Sequence, residues 1–398
     1  MTPPKTFLRD PFTWMAYSML AYYAYIMAIL GPLMPFLRSE LNLNYTVTGL
    51  HLSAFALGMI GAGLLTDRLT GRWGRRPVFW VGGLGMALGA VGLTVSSQSF
   101  WSITSILAMG LLGTLMLALI QTTLSDHHGD QRTIALTESN VGASISASLA
   151  PVFVGSFERW GLGWRLALVL GVVAFVWLAL RFRRQPLPER QKVSLRTQAG
   201  KQSLPLVFWA YWFVICLSVS IEWCLIFWGA DFLEKVIGLS QVNAATMMSV
   251  FFGAMVVGRV VGSGLTRIMP GAKLLLLAIG VTIIGFPLFW LARFAPLNLA
   301  GLFIAGLGVA NMFPLTLSVA LNTVPAQADV ASPRLSLGGG TAILLAPLVL
   351  GWTADQLNIQ NAYGIVALLA IIAAAVTFWA NRMATRHHKI LSGETPIV

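Results

Sequence analysis

Apolar residues run along this chain in long blocks, each of about 20 residues, the length needed to cross the hydrocarbon core of a bilayer as a helix. Twelve blocks stand out, at roughly 13–36, 46–66, 77–97, 100–123, 133–157, 163–181, 207–231, 243–264, 272–292, 297–320, 333–354 and 361–381. Short polar segments separate them, the longest being the basic stretch 182–206. The pattern predicts an all-α integral membrane protein of twelve transmembrane helices. Composition agrees. Of 398 residues 57% are hydrophobic and 10% charged, whereas a soluble domain carries about 25% charged residues on its wetted surface. Bilayer must be the solvent for most of this surface.

The charges that remain set an orientation. Of 26 Lys and Arg, five lie in odd-numbered loops (Arg38, Arg159, Arg165, Lys235, Arg293) and Arg259 lies inside span 8. The other twenty sit at the termini and in even-numbered loops. The positive-inside rule then puts both termini and the central stretch in the cytoplasm. Trp14, Trp80, Trp101, Trp209, Trp228, Trp290, Trp352 and Trp379 fall near span ends, as an aromatic belt would. A net charge of +12 spread over such loops orients a membrane protein and offers no basic face for nucleic acid. The first block is too long for a signal-peptide core and lacks an A-x-A-like cleavage site, so it reads as an uncleaved span. Cys216 and Cys224 share one block and read as small packing residues.

A constant shift of 196 residues aligns one half of the chain with the other. It pairs Ser53, Phe55 and Met59 with Ser249, Phe251 and Met255, and Gly110, Met116 and Leu119 with Gly306, Met312 and Leu315. It also pairs Gly142 with Gly338, Ala150-Pro151 with Ala346-Pro347, and Gly155 with Gly351. One shift holding across spans 2/8, 4/10 and 5/11 indicates an internal repeat. The expected organisation is a six-helix half at 1–181, a cytoplasmic basic linker at 182–206 and a second six-helix half at 207–398, related as two pseudo-symmetric bundles.

After span 2 the chain reads Gly63-Leu-Leu-Thr-Asp67-Arg68, then Gly74-Arg75-Arg76-Pro77. This resembles the signature loop of the major facilitator superfamily (MFS). Gly161-Leu-Gly-Trp164-Arg165 before span 6 and Gly258-Arg259-Val-Val-Gly262 in span 8 are similar to that family too. About four more residues separate Asp67 from Gly74 than the family pattern has, leaving Arg72 or Arg75-Arg76 for the family's arginine. The resemblance implies a secondary active transporter of MFS-like fold, with helices 1, 4, 7 and 10 lining a cavity and parallel halves rocking about a midplane site. The family's proton-driven drug exporters usually carry an Arg in helix 4 and a Gly-Pro motif in helix 5. Here those places hold Ile106, and Ala150-Pro151 with Gly155.

Glu222, about two-thirds along span 7, is the candidate proton-coupling residue. An ionisable group inside a span costs on the order of 2.5 kcal/mol or more and marks function by default. A low-dielectric setting favours the neutral acid over the carboxylate, which suits a group that takes up and releases a proton. Ser218 lies one turn earlier on the same face, and the 196 shift sets Ser218 and Glu222 against Tyr22 and Ile26. Tyr22, Tyr25, Ser218 and Asn311 form a candidate solute-cavity set, extended by Asn140 and Ser144 (with Ser148) as a stripe on span 5. Tyr and Asn also serve as plain interhelical partners.

A cytoplasmic gate is expected from Asp67, Arg68, Arg75, Arg76, Glu138, Arg259 and Arg334. The resembled fold places spans 5 and 8 side by side, so that Glu138 could pair with Arg259. Ser332-Pro333 reads as an N-cap and first-turn Pro, whose positive helix end, with Arg334, would face Asp67. His51 reads as structural, His127-His128 and His387-His388 as solvated, and Asp231 and Asp355 as wet.

No nucleotide-binding loop of the G-x-x-x-x-G-K type and no cluster of nucleophiles or metal ligands is visible, so neither an ATP-driven pump nor an enzyme is expected. A sensor or scaffold on the same fold would leave Glu222 without a purpose. The expectation is a monomeric inner-membrane transporter without a cofactor that carries a small organic solute, with protons, by symport. The alternatives are a proton-coupled exporter, or an organic-anion carrier using Arg259.

Overall fold

The computed structural model describes residues 7–188 and 204–392, with no side chain from residue 385 onward. Most of the expected basic linker, and the side chains of His387 and His388, lie outside the described residues. Among the described residues the chain is helical with two 3-10 turns and no strand: α1 (Pro11–Leu41), α2 (Tyr45–Trp73), α3 (Arg75–Val95), α4 (Ser99–His128), α5 (Arg132–Arg159), α6 (Arg165–Phe182), α7 (Leu206–Lys235), α8 (Gln241–Leu265), α9 (Gly271–Leu291), α10 (Ala295–Asn322), α11 (Ala328–Gln356), the single turn α12 (Ile359–Ala362) and α13 (Gly364–Ser392). Residues Ser99–Arg159 form one nearly unbroken helical run, with only the 3-10 turn Gly129–Gln131 parting α4 from α5. Counting α4 and α5 separately gives the twelve spans expected, the last running through α12 into α13.

Local chemistry explains the ends. Asp10 caps α1 by accepting the Thr13 amide at 2.9 Å, and Pro11 fills a first-turn position where no N–H is needed. Asn44 caps α2 through the Val47 amide at 2.8 Å. Gly74 alone joins α2 to α3, at φ +80, a left-handed conformation that a side chain would strain. The extra residues after Asp67 therefore lengthen α2 by a turn and more, through Arg72 to Trp73.

The chain divides into two compact units, Met1–Leu195 with Ser240–Ser249, and Arg196–Leu239 with Val250–Val398. In the first, α1 packs on α5 and α6, α4 on α2 and α3, and α3 on α6. In the second, α7 packs on α11 and α13, α10 on α9, and α9 on α13. Four of the five pairings recur under the 196-residue shift, and the fifth, α4 on α2, has its counterpart where Asn311 of α10 donates to the Gly258 carbonyl of α8. The repeat reaches single contacts. A Cβ at Gly110 would strike the Phe55 carbonyl, and one at its counterpart Gly306 would come within 3.0 Å of the Phe251 carbonyl, the counterpart of Phe55. Glycine at both sites lets two helices meet backbone to backbone. Ser240–Ser249, which takes in the start of α8, belongs to the first unit, where Arg159 donates to Asn243 Oδ1 at 2.8 Å.

Burial ranks the helices. The spans α1 and α7 are the most buried, and α6 and α13 are the least. Leu84 and Leu88 on α3, Trp177 and Leu180 on α6, and Leu368 and Ile371 on α13 are exposed. Such apolar faces suit lipid rather than water.

Four expectations need correction. Ser332-Pro333 does not start a helix: α11 begins at Ala328 and Pro333 lies inside it, because Ala331 and Leu335 are fully buried and their packing carries the helix back past the proline. Trp228 is no belt residue; it is fully buried and donates to the Pro347 carbonyl at 2.9 Å. Asp231 is not wet but fully buried. His127 and His128 are not merely solvated, since both make hydrogen bonds to the start of α1.

Candidate functional site

In the second unit Glu222 and Ser218 share a face of α7, and both sit on a helix sheathed by α10, α11 and α13. Ser218 is 1% exposed and its hydroxyl has no hydrogen-bond partner. That is unusual for a helical serine, which ordinarily bonds back to its own helix. Glu222 is half-buried and feels the charge of Arg259 on α8. Arg259 itself is exposed.

The first unit repeats the hydroxyl and not the charge. Tyr22 on α1 is 4% exposed, its hydroxyl has no partner, and its ring lies 5.4 Å from that of Phe175 on α6. Ile26, the counterpart of Glu222, is fully buried and packs so close to Gly171 that a Cβ there would meet its side chain. Tyr25 is differently committed: its hydroxyl donates to the Ala167 carbonyl at 2.8 Å and pins α1 to α6.

Asn311 is also committed. Its amide donates to the Gly258 carbonyl at 2.7 Å, and its side chain fills the space a Cβ at Gly262 would need. Asn311 therefore ties α10 to the Gly258/Gly262 face of α8. On α5, Asn140 donates to the Leu136 carbonyl at 2.7 Å, Ser144 to the Asn140 carbonyl at 2.8 Å and Ser148 to the Ser144 carbonyl at 2.9 Å. The stripe is satisfied along its own helix.

The expected gate residues fall at the end of each unit that carries the basic loops. Arg75 donates to Asp126 Oδ2 at 2.7 Å and to the Pro188 carbonyl at 2.9 Å, tying α3 to the end of α4. Arg76 donates to the Arg183 carbonyl just beyond α6. Asp67 and Arg68 are exposed near the end of α2. Arg334 is exposed on α11, and its carbonyl accepts the Trp212 indole N–H of α7 at 2.8 Å. Glu138 is gripped by Arg9, whose Nε and Nη2 donate to its two oxygens at 2.8 and 2.6 Å, and by the Tyr17 hydroxyl at 3.1 Å.

The sequence model of the Major Facilitator Superfamily matches residues 16–332. The chain belongs to that superfamily. It is an MFS transporter and an integral membrane protein. Among its relatives are an uncharacterized MFS-type transporter of Yersinia pestis, 26% identical over 88% of this chain and 90% of the other, and the multidrug resistance protein MdtL of Escherichia coli, 26% identical over 86% and 90%. A chloramphenicol resistance protein of Pseudomonas aeruginosa is 26% identical over 70% and 69%. Among solved structures, a bacterial homolog of the human lysosomal transporter Spinster, inward-facing and occupied, superposes at TM-score 0.75 with 16% identity over 93% and 95%. The nucleoside transporter NupG gives 0.72 with 15% identity over 93% and 98%. At such identities the structural likeness concerns the fold.

Two clusters of this MFS transporter escaped the sequence reading. At the basic end, Arg9, Asp10, Thr13 and Tyr17 meet Glu138 and the two histidines of α4. At the opposite end, Glu40 of α1 accepts the Trp164 indole N–H at 2.8 Å and both Arg165 terminal nitrogens, while Glu158 accepts the Trp164 amide at 2.7 Å. Gly161 and Gly163, at φ +72 and +82, turn the chain so that Trp164-Arg165 reach back to α1. Arg9 and Glu138 lie 129 residues apart and Glu40 and Arg165 lie 125 apart, so nothing in the sequence names either partner.

Proposed function

We propose that this MFS transporter moves a small, neutral or weakly charged organic solute by proton-coupled alternating access, with Glu222 as the proton carrier. The observation that carries this reading is the pairing of Glu222 with Ser218 on α7. A half-buried carboxyl stands one turn from a buried hydroxyl without a partner. Tyr22 supplies the second such hydroxyl, from the pseudo-equivalent place on α1. Solute groups would satisfy these hydroxyls, while Tyr25, Asn311, Asn140 and Ser144 shape the helices around them. Asp67, Arg68, Arg75, Arg76, Arg259 and Arg334 would serve the gate at the basic end, in a bacterial inner membrane with both termini cytoplasmic, while Glu138 holds α1 through Arg9 and Tyr17.

The names of two relatives, multidrug resistance and chloramphenicol resistance, favour export by proton antiport over the symport expected from sequence. Ile106, in place of the exporters' arginine, pulls the other way. The experiment reads the sign directly. Purified protein is reconstituted in vesicles holding a pH-sensitive dye, and chloramphenicol, or the strongest thermal-shift hit from drug and metabolite panels, is added outside. Inward solute flow makes the lumen alkaline under antiport and acid under symport. Glu222→Gln abolishes either change; a dye response equal to wild type in Glu222→Gln sinks the proposal.

A further inference from the structure

The start of α1 carries a polar cluster larger than an N-cap requires. Asp10 Oδ1 accepts the Thr13 amide at 2.9 Å and the Thr13 hydroxyl at 2.6 Å, and Oδ2 accepts His127 Nε2 at 2.8 Å. The single hydroxyl proton of Thr13 is spent on Asp10. In the 2.8 Å contact between Thr13 Oγ1 and His128 Nε2, the ring nitrogen must therefore donate. A carboxylate only accepts, so His127 Nε2 donates as well. Both imidazoles are thus held with a proton on Nε2, one directly and one through Thr13. Their rings lie 4.9 Å apart, with Phe12 4.9 Å from His127 and Phe7 4.7 Å from His128. Beside them Arg9 forks onto Glu138, which also takes the Tyr17 hydroxyl.

We propose that residues 7–13 form a clasp that locks the start of α1 to the end of α4 and the first turns of α5 and thereby fixes the rotation of α1 about its own axis. The geometry supports this at three points. Residues 9, 10, 13 and 17 are all anchored, which covers about two turns at 3.6 residues per turn. Glu138 holds two of those anchors, Arg9 before the helix and Tyr17 within it, so α1 cannot turn against α5 without breaking one. Between Phe12 and Leu30 the helix has neither Gly nor Pro, so a rotation set at Tyr17 is carried rigidly to Tyr22. Arg9, Asp10 and Glu138 are therefore positioning residues for the Tyr22 hydroxyl.

The test needs no solute, and so stands or falls apart from the transport reading. In a Cys216→Ser, Cys224→Ser background, Tyr22→Cys and separately Ser218→Cys are labelled with a small membrane-permeant maleimide. Arg9→Ala and Glu138→Gln are each expected to change the labelling rate at position 22 by on the order of threefold, the scale of a well-formed surface ion pair. The rate at position 218 stays at its starting value. Arg9→Glu combined with Glu138→Arg returns position 22 towards its starting rate, and Arg9→Lys gives an intermediate one. Unchanged labelling at 22 in both single variants overturns the clasp. So does an equal change at 22 and 218, which would mean general loosening, or rescue of Glu138→Arg by Arg259→Glu and not by Arg9→Glu. Where Tyr22→Cys does not fold, hydrogen–deuterium exchange of residues 12–20 decides: faster in Arg9→Ala and restored by the swap, with unaltered exchange overturning the proposal.

Discussion

A hydroxyl sealed inside a protein without a partner costs about 1–3 kcal/mol, yet Tyr22 and Ser218 each keep one. A cost of that kind is retained where something else can satisfy the group. Tyr22→Phe is accordingly expected to raise the stability of the solute-free protein by about 1 kcal/mol while weakening solute binding. Tyr25→Phe should do the opposite to stability, because it removes the bond to the Ala167 carbonyl; a loss of about 0.6–1 kcal/mol is the scale for such bonds between membrane helices. Thermal unfolding of both variants in one detergent checks the contrast, and shifts of the same sign would contradict it. Tyr22, Ser218 and Glu222 were legible from sequence because polar residues inside an apolar span have few explanations. Which hydroxyls were already spent was not legible, since the acceptor of Tyr25 is a backbone carbonyl 142 residues away and carbonyls have no signature in a sequence.

At the scale of the helix, close glycine contacts and charged caps decide what can change. Gly110→Val would drive a side chain into the Phe55 carbonyl and should cost about 1–3 kcal/mol by overpacking. Gly63→Ala meets nothing within 4 Å and should be neutral, as a melting comparison would show. Asp10 adds a pH dependence. Burial pushes its carboxyl up, but the Thr13 and His127 donors outweigh this and hold it below the usual carboxylate range. A carboxyl depressed on folding stabilises the protein fully above its unfolded value, near about pH 4, and that stability is lost as pH falls through the lower folded value. Asp10→Asn should therefore melt earlier than wild type at pH 7, with the gap closing only below about pH 4. A constant gap down to pH 3 would count against the cap. Span positions were readable because bilayer thickness imposes a block length. Helix ends were read short, as at Leu41, Trp73 and His128, because the polar last turns beyond the hydrocarbon carry no such constraint. Ser332-Pro333 misled for a related reason: a local start signal lost to the burial of Ala331 and Leu335.

Across the whole molecule, two units built on one packing plan differ most tellingly where the repeat breaks. Ile26 fills its place against Gly171, while its counterpart Glu222 carries the ionisable group. Tertiary burial also hid what the sequence called wet or peripheral, as Asp231 and Trp228 show. Both lie on the far turns of α7, and its sheathing by α11 and α13 follows from helix packing rather than from local pattern. The account as a whole rests on Glu222 carrying a proton. The most direct measurement compares, in reconstituted vesicles, gradient-driven accumulation of a radiolabelled solute with its exchange in the absence of a gradient, in wild type and in Glu222→Gln. The account predicts that accumulation falls to the no-gradient level in Glu222→Gln while exchange continues. Accumulation that still follows the pH gradient, at the wild-type ratio to exchange, would contradict it.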